Sequence, residues 1–150
     1  MTTPLRLDVR RPAIGSEVEL SLDVPSDLDL VGPAVGLIVG SWPSSPLSAR
    51  RVRFNLRTAL AEALCNAIAY GNRHDRAKLV RVRVEVTSEL VRVHIEDDGE
   101  GFAPDAVPDP TLPENIEREN GRGLFVLRHL VDHISFNEKG NAVCLTLRAG

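Results

Sequence analysis

The stretch that decides the fold is Asp97-Asp98-Gly99-Glu100-Gly101-Phe102, because of the segment that leads into it. Apolar residues alternate with polar or charged ones along that segment: Val91, Arg92, Val93, His94, Ile95 and Glu96. This is the period of a half-buried strand, and the same parity turns Asp97 toward the apolar face and Asp98 toward solvent. A carboxylate entering a core is costly unless a hydrogen-bond donor meets it. Since no neighbour in the sequence is an obvious donor, we expect a ligand to supply one.

The rest of the chain has an α/β pattern without internal repeats. Alternation predicts further strands over three segments, 18–24, 80–86 and 143–147. Three helical segments are predicted, about 27–40, 48–70 and 121–132. A tight hairpin is expected at Ser88-Glu89, a helix stop at Gly71-Asn72 and a loop over 103–120. Because each strand has one apolar face, we expect a two-layer α/β sandwich of the α+β class. Its sheet is mixed and mostly antiparallel, and about three helices cover one face.

Length and composition limit the classes of function. The chain has 150 residues, which suits a single domain over 1–150. A formal net charge of -3 gives no sign of a nucleic-acid or membrane surface. No apolar stretch is long enough to span a bilayer, and no signal peptide is evident. Cys65 and Cys144 lack metal-type spacing, which is typical of small core residues in a reducing cytoplasm.

A polar pair stands out on the long predicted helix. Glu62 and Asn66 are four residues apart, so their side chains lie on one face of the helix, among small apolar residues. Desolvation would make the carboxylate a better proton acceptor, and an amide oxygen is a suitable ligand for Mg²⁺. On these two residues alone, an ordinary amphipathic helix explains the pattern better. The arginines near the start of this helix, Arg50, Arg51 and Arg53, could help a partner protein dock, but a solvated face explains them better.

A glycine-flanked turn at Gly121-Arg122-Gly123-Leu124 begins the last predicted helix. Free backbone N–H groups and the positive end of a helix dipole favour an anion there, and a guanidinium adds paired donors for phosphate oxygens. The segment is neither a Walker loop nor a dinucleotide fingerprint. By itself it is equally well explained as a simple turn.

Taken in chain order, the polar pair on the long helix, the stretch that begins at Asp97 and the turn that begins at Gly121 resemble the motifs of a known family. Glu62-xxx-Asn66, Asp97-x-Gly99-x-Gly101-Phe102 and Gly121-x-Gly123-Leu124 are similar to the N box and the two glycine boxes of the Bergerat-type ATP-binding fold. That superfamily includes gyrase, MutL and the histidine kinases. The sequence around these motifs is most similar to that of bacterial anti-sigma-factor serine/threonine kinases. One departure is Tyr70, where many relatives carry His.

The resemblance implies a role for each matching position. Asp97 would accept from the adenine amino group, while Gly99, Gly101 and Phe102 would lie beside the base and ribose. Asn66 would bind Mg²⁺, and Glu62 would orient or deprotonate the attacking hydroxyl. The phosphate-binding residues would be Gly121, Arg122, Gly123 and Leu124. The loop over 103–120 would be the ATP lid, and Gly140-Asn141 is the candidate for a further glycine box.

The same resemblance implies a cytoplasmic, Mg-ATP-dependent protein serine/threonine kinase with ATP or ADP as its nucleotide. Its partners would be a sigma factor, which it sequesters, and an anti-anti-sigma (STAS-type) protein, which it phosphorylates. It would act as a homodimer. One alternative is a nucleotide-switched binding module without significant kinase activity. Another is a fragment of a sensor kinase that acts on histidine in trans.

Overall fold

Six strands form one antiparallel sheet in the part of the chain that the computed structural model describes, residues 5–11, 18–42, 47–99 and 126–149. The strands are β1 (Leu7–Arg10), β2 (Val18–Pro25), β3 (Leu79–Val86), β4 (Leu90–Glu96), β5 (His133–Phe136) and β6 (Ala142–Arg148). Their order across the sheet is β1-β2-β3-β4-β6-β5, and every described pairing is antiparallel. The predicted two-layer α+β fold is confirmed.

The strands that alternation predicts are β2, β3, β4 and β6. Their register places apolar side chains of neighbouring strands opposite one another, with Val84 opposite Val93 and Val82 opposite Ile95. The hairpin between β3 and β4 is also confirmed, because the Thr87 N–H donates to the Leu90 carbonyl at 2.9 Å. In this sheet the period of two therefore fixed which side chains enter the core.

Strands β1 and β5 were not predicted. Each has four residues and lies at an edge of the sheet, paired on one side only. β1 has no buried residue, and β5 has only partly buried ones, Ile134 and Phe136. Edge strands of this length bury too little apolar surface to leave a clear alternation in the sequence.

Helix α1 (Val31–Gly40) follows a short 3₁₀ turn, Leu28–Leu30. The Asp27 carboxylate caps that turn by accepting from the Asp29 N–H at 3.0 Å. Pro33 lies in the first turn of α1, where a missing N–H costs nothing. The predicted helical segment is thus correct in extent, with a 3₁₀ entry that its sequence did not indicate.

Helix α2 is the long helix, and it runs without interruption through four consecutive stretches: Ala49–Arg51, Val52–Leu56, Arg57–Asn66 and Ala67–Gly71. The second and fourth of these stretches are π-helical. Ser48 caps the start, since its Oγ accepts from the Arg51 N–H at 3.2 Å. The end at Gly71 agrees with the predicted stop. A π-helical turn is frequent at functional sites, and the second of these two stretches begins immediately after Asn66.

The arginines at the start of α2 do not all behave as a solvated face. The Arg51 guanidinium lies 3.1 Å from the Asp132 carboxylate and donates to the Arg148 carbonyl at 2.6 Å. It therefore ties α2 to the end of β6. Arg50 and Arg53 are exposed, as that interpretation expects.

The predicted helix over 121–132 is described only in part. Residues 126–130 are helical, and 121–125 lie outside the described residues. The helix ends before 132, because the Asp132 N–H donates to the Thr146 carbonyl at 2.8 Å and so joins the sheet. No helix in the described ranges is long and apolar enough to cross a membrane.

The helices cover one face of the sheet and leave the other polar. Buried valines and an isoleucine of β3 and β4 form the covered face: Val80, Val82, Val84, Val86, Val91, Val93 and Ile95. On the other face Arg81 pairs with Glu96 at 2.9 Å, and Arg83 pairs with Glu85 at 3.4 Å. His94 lies on this polar face as parity predicts, with its Nε2 2.8 Å from Glu85 Oε1. Its side chain is 32% exposed, so it is less open to solvent than expected.

Candidate functional site

Asp97 lies just beyond the end of β4 and turns toward the helices, as parity predicts. Only 9% of the residue is exposed. Its Oδ1 accepts from the Gly99 N–H at 2.7 Å, a backbone donor that the sequence did not reveal. No described residue donates to Oδ2. One oxygen of this buried carboxylate is thus satisfied locally, and the other has no donor among the described residues.

The electrostatics of Asp97 fit that arrangement. Burial raises the pKa of Asp97 above its ordinary value of 3.8. The bond from the Gly99 N–H opposes this shift, while the neighbouring charges of Asp98 and Glu96 add to it. Asp98 behaves oppositely: it is exposed, and its bond from Arg81 at 2.8 Å lowers its pKa. The predicted division between an inward Asp97 and an outward Asp98 is confirmed.

Two glycines bring the end of α2 against this carboxylate. A Cβ added to Gly71 would lie 2.8 Å from Asp97 Oδ1 and nearer still to Oδ2 and Cγ. A Cβ added to Gly99 would lie 2.7 Å from the Gly71 carbonyl carbon and collide with its oxygen. Gly71 is not needed for a positive φ, since the left-handed residues after the helix are Arg73 and His74. Its role is close approach to Asp97, in addition to the helix stop that the sequence predicted.

The Asp97–Asp98 peptide is held on both sides by asparagine side chains. Asn141 Nδ2 donates to the Asp97 carbonyl at 2.8 Å, and the Asp98 N–H donates to Asn72 Oδ1 at 2.7 Å. The Asp97 N–H in turn donates to the Asn141 carbonyl at 2.9 Å. Sequence reasoning missed Asn72 as part of the site, because Gly71-Asn72 also fits an ordinary helix end.

Glu62 and Asn66 lie in the α-helical stretch of α2, one turn apart as predicted. Both are partly exposed, and neither makes a hydrogen bond or ion pair with a described residue. Burial raises the pKa of the Cys65 thiol, and the nearby charge of Glu62 adds a smaller contribution in the same direction. A raised thiol pKa keeps Cys65 protonated and unreactive, consistent with a packing role. This part of α2 therefore presents a carboxylate and an amide that are not bonded to any described residue.

The remaining predicted site residues lie outside the described residues. They are Gly101, Phe102, Gly121, Arg122, Gly123, Leu124 and the loop over 103–120. Their roles stay predictions. Within the described part, the structure brings Asp97 and Gly99 against the end of the same helix that carries Glu62 and Asn66.

Comparison with known proteins defines the class. Residues 24–147 match the family described as histidine kinase-like ATPase domain, and the chain belongs to that family. It is similar to the serine-protein kinase RsbW of Oceanobacillus iheyensis, with 24% identity over 126 residues that cover 80% of this chain and 79% of that protein. It is also similar to the serine-protein kinase RsbW of Staphylococcus aureus, with 26% identity over 98 residues that cover 60% of this chain and 62% of that protein. The family resemblance of the sequence is thus confirmed.

Proposed function

We propose that this chain binds ATP with Mg²⁺ and transfers its γ-phosphoryl group to a serine or threonine of a partner protein. The partner would be an anti-anti-sigma (STAS-type) protein, and a sigma factor would be bound and sequestered. The observation that carries the proposal is the buried Asp97 carboxylate, with one oxygen lacking a described donor beside the Gly71 and Gly99 backbones. Such an acceptor suits the amino group of adenine. The similarity to the RsbW kinases favours the protein substrate.

The described residues fit the groups that the proposal requires. Asn66 would hold Mg²⁺, which neutralises charge on the phosphates when bound. Glu62 would accept the proton of the attacking hydroxyl. The hydroxyl oxygen forms a bond to the γ-phosphorus as the bond to the β–γ bridging oxygen breaks, and ADP leaves. A homodimer is part of the proposal on the family resemblance, and the cytoplasm is proposed because both cysteines are free thiols.

Phosphoryl transfer is tested by mixing the purified protein with ATP labelled at the γ-phosphate and candidate partners encoded nearby. We expect acid-stable label on a serine or threonine of one partner. Acid-labile label would instead indicate phosphohistidine and a sensor-kinase fragment. Nucleotide binding without label on any partner would favour the binding-module alternative.

Asp97→Asn separates the effect of the buried carboxylate on folding stability from its effect on ATP binding. Because burial raises the pKa of Asp97, the folded state holds the proton more tightly than the unfolded state. Stability from this group is therefore lost as pH rises from about 3.8 through the raised pKa. Asparagine removes that cost and can still accept from the Gly99 N–H. At pH 7 we expect the ligand-free variant to melt no lower than wild type, while ATP affinity falls at least tenfold, or about 1.4 kcal/mol.

Melting curves at a series of pH values, with calorimetry for ATP, measure both effects of Asp97→Asn. The advantage of the variant in melting temperature should grow as the pH rises through the raised pKa of Asp97. If ATP affinity is equal in the two proteins, Asp97 is only structural.

Asn66→Ala should weaken ATP binding in the presence of Mg²⁺ more than binding in a chelator, since the amide oxygen would be a metal ligand. Asn55→Ala is the matched control, because Asn55 lies on the same helix and donates from Nδ2 to the Leu130 carbonyl at 2.9 Å. Calorimetry with Mg²⁺ and with EDTA gives the four affinities. If Asn66→Ala lowers both affinities alike, Asn66 does not bind the metal.

A further inference from the structure

Asn72 connects three segments that surround the Asp97 turn. It is 1% exposed and follows the last residue of α2. Its Nδ2 donates to Ser26 Oγ at 2.9 Å and to the Leu79 carbonyl at 3.2 Å, while its Oδ1 accepts from the Asp98 N–H at 2.7 Å. Ser26 Oγ continues the network by donating to the Lys78 carbonyl at 2.7 Å. The end of β2, the start of β3 and the turn after β4 are therefore joined through one side chain.

The bond from Asp98 fixes the direction of the Asp97 side chain. The Asp98 N–H belongs to the peptide unit that follows the Asp97 Cα, and the carbonyl of that unit is already held by Asn141. With both polar groups of the unit bonded, the peptide cannot rotate without breaking two partly buried hydrogen bonds. The Asp97 carboxylate is consequently held toward Gly71 by its backbone as well as by its own bond from Gly99.

Direction matters because a carboxylate alone does not select adenine. The exocyclic amino group of adenine donates to a carboxylate, but so do the N1–H and 2-amino groups of guanine. An Asp97 that can rotate would accept from either base. An Asp97 held in one orientation meets an amino group in adenine and a keto oxygen at the same place in guanine, and that oxygen is repelled.

We propose that Asn72 is a positioning residue for base selection: through the Asp97–Asp98 peptide it holds the Asp97 carboxylate in the orientation that accepts an adenine and rejects a guanine. This inference rests on the proposed nucleotide-binding function. A merely structural Asn72 would affect stability and the affinity for all purine nucleotides together. A positioning Asn72 changes the ratio of affinities for ATP and GTP.

The test is calorimetry of the full chain with Mg-ATP and Mg-GTP, for wild type and Asn72→Ala. We expect Asn72→Ala to reduce the ratio of ATP to GTP affinity at least tenfold. Asn55→Ala, which removes one partly buried amide bond from α2, should leave the ratio unchanged. An Asn72→Ala protein that is less stable but keeps the wild-type ratio overturns the inference.

Two further variants can still overturn the inference if Asn72→Ala does not fold. Ser26→Ala removes two bonds of the network, the one accepted from Asn72 and the one donated to the Lys78 carbonyl, but keeps the bond from Asp98 to Asn72, so the ratio should be retained despite lower stability. Asn72→Asp keeps an acceptor for the Asp98 N–H and loses both donated bonds, so it should also retain the ratio. Loss of the ratio in both variants would contradict the inference. If wild type binds neither nucleotide, the proposed function fails as well, whereas a wild-type preference that survives in Asn72→Ala refutes only the role of Asn72.

Discussion

Gly71→Ala is expected to abolish ATP binding at concentrations that saturate the wild-type protein. The added methyl group would occupy the space of the Asp97 carboxylate, so Asp97 must turn away or the end of α2 must move. Either change removes the buried acceptor from its position. A loss of about a hundredfold in affinity, or about 2.8 kcal/mol, is the minimum that we expect from displacing it. Calorimetry with Mg-ATP measures the loss, and circular dichroism checks that the protein is folded.

Gly36→Ala is the matched control for this glycine. Gly36 lies within α1, and a Cβ added there meets nothing within 4 Å. Alanine in place of glycine inside a helix stabilises by about 0.5–1 kcal/mol, so this variant should melt slightly higher and bind ATP as wild type does. If Gly71→Ala also binds ATP normally, the pocket does not lie where Gly71 meets Asp97.

Glu62→Ala is expected to abolish measurable phosphoryl transfer while ATP affinity stays within about twofold of wild type. The carboxylate is partly exposed, makes no ion pair with a described residue, and lies one helical turn from Asn66. A general base of this kind contributes roughly 10²–10⁴-fold to a rate. Because the proposed role concerns the attacking hydroxyl and not the nucleotide, binding should be spared. Single-turnover transfer to the identified partner measures the rate, and calorimetry measures the affinity.

Two further variants serve as controls for Glu62→Ala. Glu62→Gln keeps the size of the side chain but not its basicity, so it should be as slow as Glu62→Ala. Glu89→Ala, in the exposed hairpin between β3 and β4, should transfer phosphate normally. Unchanged turnover in both Glu62 variants would end the kinase mechanism proposed for this chain.

The central strands and the long helix are predictable from the sequence because their signals are local. Alternation along 80–86 and 91–95 specifies one apolar face, and the helix that begins after Ser48 has a cap and a continuous apolar stripe. The same alternation, continued by two residues beyond Ile95, predicts the inward direction of Asp97. The edge strands β1 and β5 were missed because they are short and paired on one side only. Strands of this kind bury few side chains, so their sequences show no clear alternation of apolar and polar residues.

The parts of the site that escaped prediction depend on contacts between distant segments. Gly71 meets Asp97 across 26 residues, and Asn72 meets Asp98 across the same separation. Nothing in Gly71-Asn72 distinguishes this contact from a helix stop, since glycine and asparagine favour both. Only the packing of α2 against the turn after β4 shows why a side chain at position 71 is excluded.

Titration calorimetry of the wild-type protein with Mg-ATP tests the central claim most directly, namely that the buried Asp97 carboxylate binds the base of an adenine nucleotide. We expect saturable heat for ATP and ADP, much weaker heat for GTP, and a large loss of both adenine signals in Gly71→Ala. Absence of heat for adenine nucleotides at millimolar concentration in the presence of Mg²⁺ would contradict it.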